Sequence, residues 1–392
     1  MDGRLSNAME ALHTTPRRSG IFAALIASIL LAAAPTADAA RGRVPNDRAF
    51  AAQWELNGDS AMGAKSAWAI ANRGDVTVAV IDTGAQLDHP DLAPNLWTNT
   101  AEIPGNGIDD DNNGYVDDVH GYDFVAKDGD PSDENGHGTN VAGIIGARGN
   151  NAMGVTGVAW RAKMMIVRVL DANGTGTVYD VARGIRYAVA NGAKVINLSV
   201  AGPDDDPALE AAIAEARDAG VLIVASAGNS GADLDSKPAF PASSPSDSVI
   251  AVASTDENGA LAPGSSYGAH TVDVTAPGEN IDSTAVGSGY GTRSGTSQAA
   301  AHVTGVLALM AAAQPSADAA SLRAHLLFGS RAKGLPVAAG ALDAAGALRS
   351  LLGMAAPKSA KRRAASRSTA RKASRRSVTR VAGGAVAPMH AA

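Results

Sequence analysis

The sequence predicts an α/β fold of three layers, a mainly parallel central sheet with helices on both faces. Two observations carry that prediction. Short, almost wholly apolar runs recur at residues 76–81, 164–170, 194–200, 221–225 and 249–253, and uninterrupted rather than alternating hydrophobicity suits strands covered on both faces. Between them lie helix-like stretches at 178–190, 208–219 and 297–313. Strand–helix alternation implies right-handed crossovers that lay helices on each side of the sheet.

Taken in order, the first run, Val-Thr-Val-Ala-Val-Ile, leads into Asp82-Thr-Gly. The strand Lys-Val-Ile-Asn-Leu is closed by Ser199, and Val-Leu-Ile-Val-Ala-Ser-Ala-Gly by Asn229. Ligands of such sheets sit beyond the carboxyl ends of the strands. Asp82, Ser199 and Asn229 are therefore expected along one edge.

Composition bounds the rest. The chain has 392 residues, 45% of them hydrophobic, enough for one large core or two smaller ones. Cysteine is absent, which excludes disulfide staples, a thiol nucleophile and thiolate metal ligands. Residues 1–39 have the layout of a secretory signal peptide: Arg17-Arg18, an apolar run of 14 residues at 21–34, then Ala37-Asp38-Ala39. That run is shorter than the roughly 20 residues of a bilayer span. An uncleaved anchor is the alternative, and the paired arginines leave twin-arginine export open, although their flanks fit it poorly. A short linker, 40–52, leads into one α/β domain, 53–353.

Residues 354–392 form a basic, low-complexity tail, with ten Lys or Arg and no acid between 358 and 380. Such a segment buries too little apolar surface to offset its ordering entropy and is expected to be disordered. It masks a charge asymmetry. Setting aside the tail's ten cations and the first 40 residues, with three charges of each sign, 20 basic residues face 36 acidic ones, a net charge of −16. The tail suits anionic surface polymers, or is simply a solvated extension. Nothing in the pattern specifies a nucleic acid, and a monomer is expected.

Four residues carry the chemistry. Ser297 follows Gly295-Thr296 and opens the long helix. A serine there caps the helix, serves as a nucleophile, or does both, since the positive helix end favours an oxyanion nearby. His137 lies between glycines ahead of Val-Ala-Gly-Ile-Ile-Gly. A neutral imidazole so placed accepts a hydroxyl proton and returns it to a leaving amine. Asp82 ends a buried strand, where a carboxylate needs hydrogen bonds; a histidine N–H and a local turn are the competing donors. Asn229 is an oxyanion donor or a turn residue. Asp, His and Ser in this chain order supply hydroxyl, base and orienting carboxylate for nucleophilic acyl transfer.

With these motifs the chain resembles the subtilase family of serine endopeptidases over about 300 residues. The resemblance rests on Val-Ala-Val-Ile-Asp82-Thr-Gly, His-Pro-Asp91-Leu, Asn-Gly-His137-Gly-Thr, Ala-Gly-Asn229, Phe-Pro-Ala-Ser at 240–243, Ala-Pro-Gly at 276–278 and Ser-Gly-Thr-Ser297. It implies peptide-bond hydrolysis through an acyl-enzyme. It also implies a substrate strand between Gly174-Thr175-Gly176 and Ser199-Val-Ala201-Gly, with Gly228 beside it. Many subtilases carry a folding-assisting prosegment, and residues 40–52 are too few for one. The chain departs from the family pattern at Gln298 (usually Met), Ala301 (usually Pro), Asn140 (often His) and Val200-Ala201 (usually Leu-Gly). Ala201 adds a methyl to the rim of the specificity pocket.

Two loops suit Ca2+. Asp109-Asp-Asp111-Asn-Asn113-Gly-Tyr-Val-Asp117 matches the first half of an EF-hand loop, with His120 in place of the closing Glu; a solvated acidic turn is the alternative. By resemblance, Asp91 with Asn151 and the carbonyls of 150–155 forms a second candidate. The partners expected are protein or peptide substrates.

Overall fold

The computed structural model describes residues 43–58, 61–72, 75–355 and 389–391. The signal-peptide reading of 1–39 and most of the tail lie outside them. The described strands are β1 (Thr77–Asp82), β2 (Gly121–Asp123), β3 (Lys163–Arg168), β4 (Thr175–Gly176), β5 (Val195–Leu198), β6 (Val200–Ala201), β7 (Leu222–Ser226), β8 (Val249–Thr255), β9 (Val274–Pro277), β10 (Ile281–Ala285), β11 (Gly289–Arg293), β12 (Gly340–Ala341) and β13 (Met389–Ala391). The helices are α1 (Trp54–Asn57), α2 (Ala64–Ile70), α3 (His137–Gly146), α4 (Val178–Ala190), α5 (Pro207–Asp218), α6 (Thr296–Ala313), α7 (Ala319–Gly329) and α8 (Ala344–Leu351).

Eight strands form one sheet in the order β12-β9-β8-β7-β5-β1-β3-β2, and every pairing within it is parallel. Alternate side chains enter two cores. Val78, Val80, Met164, Ile166, Val224, Ile250 and Val252 pack with α3 and α6. Ala79, Ile81, Met165, Val167, Ile223 and Ala251 pack with α4 and α5 on the other face. Burial on both sides is why the strands read as unbroken apolar runs. The α/β three-layer architecture is the one the sequence predicts.

The helices start where their caps are. Thr177 accepts from the Asp180 amide at the head of α4, and Asp206 followed by Pro207 opens α5, a cap and first-turn proline together. Helix α6 is buried along most of its length, consistent with its lack of a polar face. Two strand ends differ from expectation. The run at 164–170 leaves the ladder after Arg168, and the amides of Val169 and Leu170 instead donate to the Asp82 carbonyl at 2.9 and 3.2 Å. The run at 194–200 breaks at Ser199, and Val200 joins β6 in a separate three-stranded sheet, β4-β13-β6.

That small sheet also amends the reading of the tail. Residues 389–391 form its middle strand, antiparallel to both neighbours, a pairing that composition does not signal. No helix among the described residues is long and apolar enough to cross a membrane.

Glu55 in α1 is 1% exposed, and neither carboxylate oxygen has a hydrogen-bond partner among the described residues. Burial, with a smaller repulsion from Asp282, pushes its carboxyl up to about 8 from 4.5. A raised folded-state value means the fold binds the proton more tightly than the unfolded chain does. The stabilisation is therefore full below pH 4.5 and fades as pH rises towards 8. Glu55→Gln is expected to raise Tm by about 3 °C at pH 8 and to change it little at pH 4.5. Parallel melting curves at both values check this; an unchanged Tm at the higher pH contradicts it.

Candidate active site

Asp82 ends β1 with no exposed surface. Its Oδ1 accepts from the Thr83 amide and from His137 Nδ1, both at 2.7 Å. The carboxylate settles the tautomer: the proton is on Nδ1, and Nε2 is the basic nitrogen.

His137 opens α3, and the local reason is Asp133. Its Oδ1 accepts from the amides of Asn135 and Gly136 at 2.9 and 2.8 Å and from the Thr83 hydroxyl at 2.9 Å. Its Oδ2 accepts from the Thr139 amide at 2.8 Å and hydroxyl at 2.6 Å. Thr83 Oγ1 in turn accepts from the Gly138 amide at 2.9 Å. One carboxylate thus joins the end of β1 to the start of α3. Gly138 lets the two close together, because a Cβ there would sit 2.1 Å from the Gly84 carbonyl oxygen. The sequence reading passes over Asp133, although an Asp just before a helix, with Thr six residues on, is a signal for such a turn.

Ser297 is the second residue of α6 and is fully buried. Its neighbour Thr296 donates from its amide and hydroxyl to Asn229 Oδ1 at 3.0 and 3.2 Å, and the Gly228 amide donates to Thr296 Oγ1 at 3.0 Å. With its oxygen pinned, Asn229 has Nδ2 to offer as donor. A Cβ on Gly295 would lie 3.0 Å from that nitrogen. Ser199 Oγ accepts from Asn197 at 2.8 Å and donates to the Ser297 carbonyl at 3.4 Å. Asp82, His137, Asn229, Ser199 and Ser297 therefore meet at the carboxyl edge of the sheet.

Two departures from the family pattern are one interaction. Gln298 Nε2 donates to Asn140 Oδ1 at 3.1 Å, with both residues buried, so α6 and α3 are linked beside the serine and the histidine. Across the cleft, β13 lies between Thr175–Gly176 and Val200–Ala201. Gly174 carries its backbone edge onward at φ +72° and accepts from the Ala391 amide at 2.9 Å. Gly228 sits by Ala201: a Cβ on the glycine would be 3.7 Å from the alanine methyl.

The acidic loop gathers a different set from the one read in sequence. Ligand oxygens of Glu102, Asp109 and Asp111 lie within 4.8 Å of one another. Glu102 precedes the loop that begins at Asp109 and lies outside the EF-hand spacing. Asn113 turns its amide nitrogen to Asp111 and Asp118, and its oxygen accepts from Tyr115. Asp117 accepts from the Asn106 and Gly107 amides at 3.1 and 2.9 Å. His120 donates to the Trp97 carbonyl at 2.8 Å. At the second loop, Asp91 accepts from Asn151 Nδ2 at 2.7 Å, from Tyr290 at 2.8 Å and from the Val155 amide at 3.3 Å. The same loop donates the Asn150 and Asn151 amides to Asp47 at 2.7 and 3.2 Å.

Residues 73–346 match the family model described as the subtilase family. The chain belongs to the subtilase family. It is 41% identical to thermitase from Thermoactinomyces vulgaris over 274 residues, 70% of this chain and 88% of that one. It is 43% identical to the thermophilic serine proteinase of Bacillus sp. (strain AK1) over 234 residues, 60% of this chain and 51% of the relative, so it spans about half of that protein. A solved structure of proteases from Pseudoalteromonas arctica PAMC 21717 aligns with a TM-score of 0.65 and 30% identity, covering 79% of this chain and all of that one. The chain is a subtilase-type serine endopeptidase, a hydrolase acting on proteins.

Two outcomes follow for this subtilase. Asp133→Ala, which frees the head of α3, is expected to lower kcat roughly 10- to 100-fold with KM within about twofold, since it moves His137 and leaves β4 and β6 in place. Steady-state kinetics on a short chromogenic peptide separate the two; a change confined to KM contradicts the positioning role. Gln298→Met leaves buried Asn140 Oδ1 without this donor, at about 1 kcal/mol. It also puts a thioether beside Ser297, so the native chain should outlast the variant in dilute peroxide.

Proposed function

We propose that this subtilase is exported and cleaves peptide bonds through an acyl-enzyme on Ser297. Ser297 Oγ attacks the substrate carbonyl carbon as His137 Nε2 takes its proton. Negative charge collects on the former carbonyl oxygen, where Asn229 Nδ2 and the first-turn amides of α6 donate. Collapse of that intermediate breaks the C–N bond, and His137 returns the proton to the leaving amine. Water then attacks the ester by the same route, and Ser297 regains its proton. Asp82 holds the ring and stabilises the imidazolium without itself being protonated.

The observation that carries this reading is the 2.7 Å bond from His137 to an Asp82 carboxylate with no exposed surface, at the same sheet edge as Ser297. The extended substrate would add as a strand between Gly174–Gly176 and Ser199–Ala201, with Gly228 and Ala201 bounding the space for the side chain next to the cut. The Ala201 methyl narrows that space and favours small residues there. Export rests on the leader-like segment 1–39, and the natural substrates are extracellular or periplasmic proteins.

Structural Ca2+ suits two places by their donor sets. Glu102, Asp109 and Asp111 supply hard anionic oxygens near one another. Asp91 and Asp47 are buried carboxylates that both accept from the loop at 150–155. At Asp91 the Asn151 nitrogen, not its oxygen, faces the carboxylate, so a cation bound there requires the amide to turn over. Bound ions would rigidify a cysteine-free chain by mass action.

Fluorophosphonate labelling of the native chain and of Ser297→Ala tests the enzyme. Labelling of the native chain alone is expected; a well-folded native chain that fails to label contradicts the mechanism. EDTA is expected to lower Tm by several degrees, with Ca2+ restoring it. Glu102→Gln is expected to reduce that chelator-sensitive difference. A Tm indifferent to EDTA rules out both cation sites.

A further inference from the structure

The cleft that would take a substrate strand is occupied by a strand of the chain itself. Met389–Ala391 pairs antiparallel with both edges at once, Met389 opposite Gly176, His390 opposite Thr175 and Ala201, and Ala391 opposite Val200. The Ala391 amide donates to the Gly174 carbonyl at 2.9 Å. Ala391 is half-buried and packs against the core beneath. A Cβ on Gly174 would come within 3.3 Å of the Ala391 methyl, so the glycine leaves room for that residue. The direction matters too. Running from Ala201 to Val200 on β6, the segment heads towards Ser199, whose hydroxyl reaches the Ser297 carbonyl. It enters the site as the acyl side of a substrate would.

We infer that residues 389–391 are an intramolecular, substrate-mimicking inhibitor of this cleft, carried on the basic tail as a tether. The inference rests on the cleft being that of an endopeptidase. Three further features support it. Residues 381–392 contain no Asp, Glu, Lys or Arg, so the charged run stops at Arg380 and gives way to a small, apolar end suited to pairing as a strand. The tail's ten cations oppose a body with a net charge of −16, an attraction that favours pairing of the terminal segment and weakens with salt. The 33 residues between Ala355 and Met389 also make the encounter intramolecular. Covalent linkage over such a length gives effective concentrations on the order of millimolar, so a weak segment suffices to fill the cleft.

Binding to Ser297→Ala proteins tests this without self-cleavage. The probe is a fluorescent peptide with the sequence of residues 385–392, read by anisotropy against the full chain, the chain ended after Arg380, and full-length Ala391→Pro, which lacks the amide that bonds Gly174. The shortened chain and the proline variant are expected to bind the probe at least 10-fold more tightly than the full chain, with the gap closing in 1 M salt. With Ser297 intact, the shortened chain should show a lower KM for a short chromogenic peptide and the same kcat. Equal probe affinity across the three proteins, or no binding to any, overturns the inference. Those results leave fluorophosphonate labelling, and with it the enzyme reading, untouched.

Discussion

One hydrogen bond sets the terms for the rest of the site: His137 Nδ1 to Asp82 Oδ1, 2.7 Å, made in full burial. Taking a carboxylate out of water is costly unless donors replace the lost hydration. Asp82 answers it at Oδ1, which accepts from the Thr83 amide and the His137 ring. The requirement fixes more than two side chains. It brings the N-terminus of α3 to the carboxyl end of β1, and Asp133, Thr83 and Thr139 hold the junction by hydrogen bonds that do not involve the ring itself. Glycine at 138 follows from the same closeness, since a side chain there would strike the backbone at Gly84.

The serine half is built differently. Ser297 stands on a helix buried nearly throughout, and its surroundings are ordered by backbone-adjacent groups: Thr296 pins Asn229, and Ser199 reaches the serine carbonyl. The halves meet through Gln298 and Asn140. Separately each is a departure from the family pattern. Together they are a donor and an acceptor that satisfy one another in a place where an unmatched polar atom would be costly. In this chain the pair ties α6 to α3.

The edges β4 and β6 and the strand Met389–Ala391 are coupled in a comparable way. β4 and β6 are short strands outside the main sheet, with backbone groups directed at the space between them. Whatever extended chain lies there is held by its main chain, which makes the cleft tolerant of sequence and open to the protein's own segment. The opposite charges of tether and body then make the local concentration of that segment a function of ionic strength.

The layers of the fold were legible because strands covered on both faces must be apolar at every position, as in Val78–Ile81 and Leu222–Ala225. Asp82, His137, Asn229 and Ser297 were legible because each sits where a strand ends or a helix begins, and such positions are marked by short local motifs. Local pattern had less to say about contacts between distant segments. Glu102 joins Asp109 and Asp111 from outside the loop, Asp133 serves two elements at once, and Gln298 finds Asn140 across 158 residues. The tail shows the limit most plainly. Its composition is that of a chain unable to build a core, yet Met389–Ala391 needs none, because two waiting edges supply its hydrogen bonds. The sequence determined the layers, the sheet edge and the reactive groups, all set by local periodicity and chain breaks. Only the tertiary structure decided which donors meet which acceptors and what fills the cleft, because those pairings depend on distances the chain acquires when it folds.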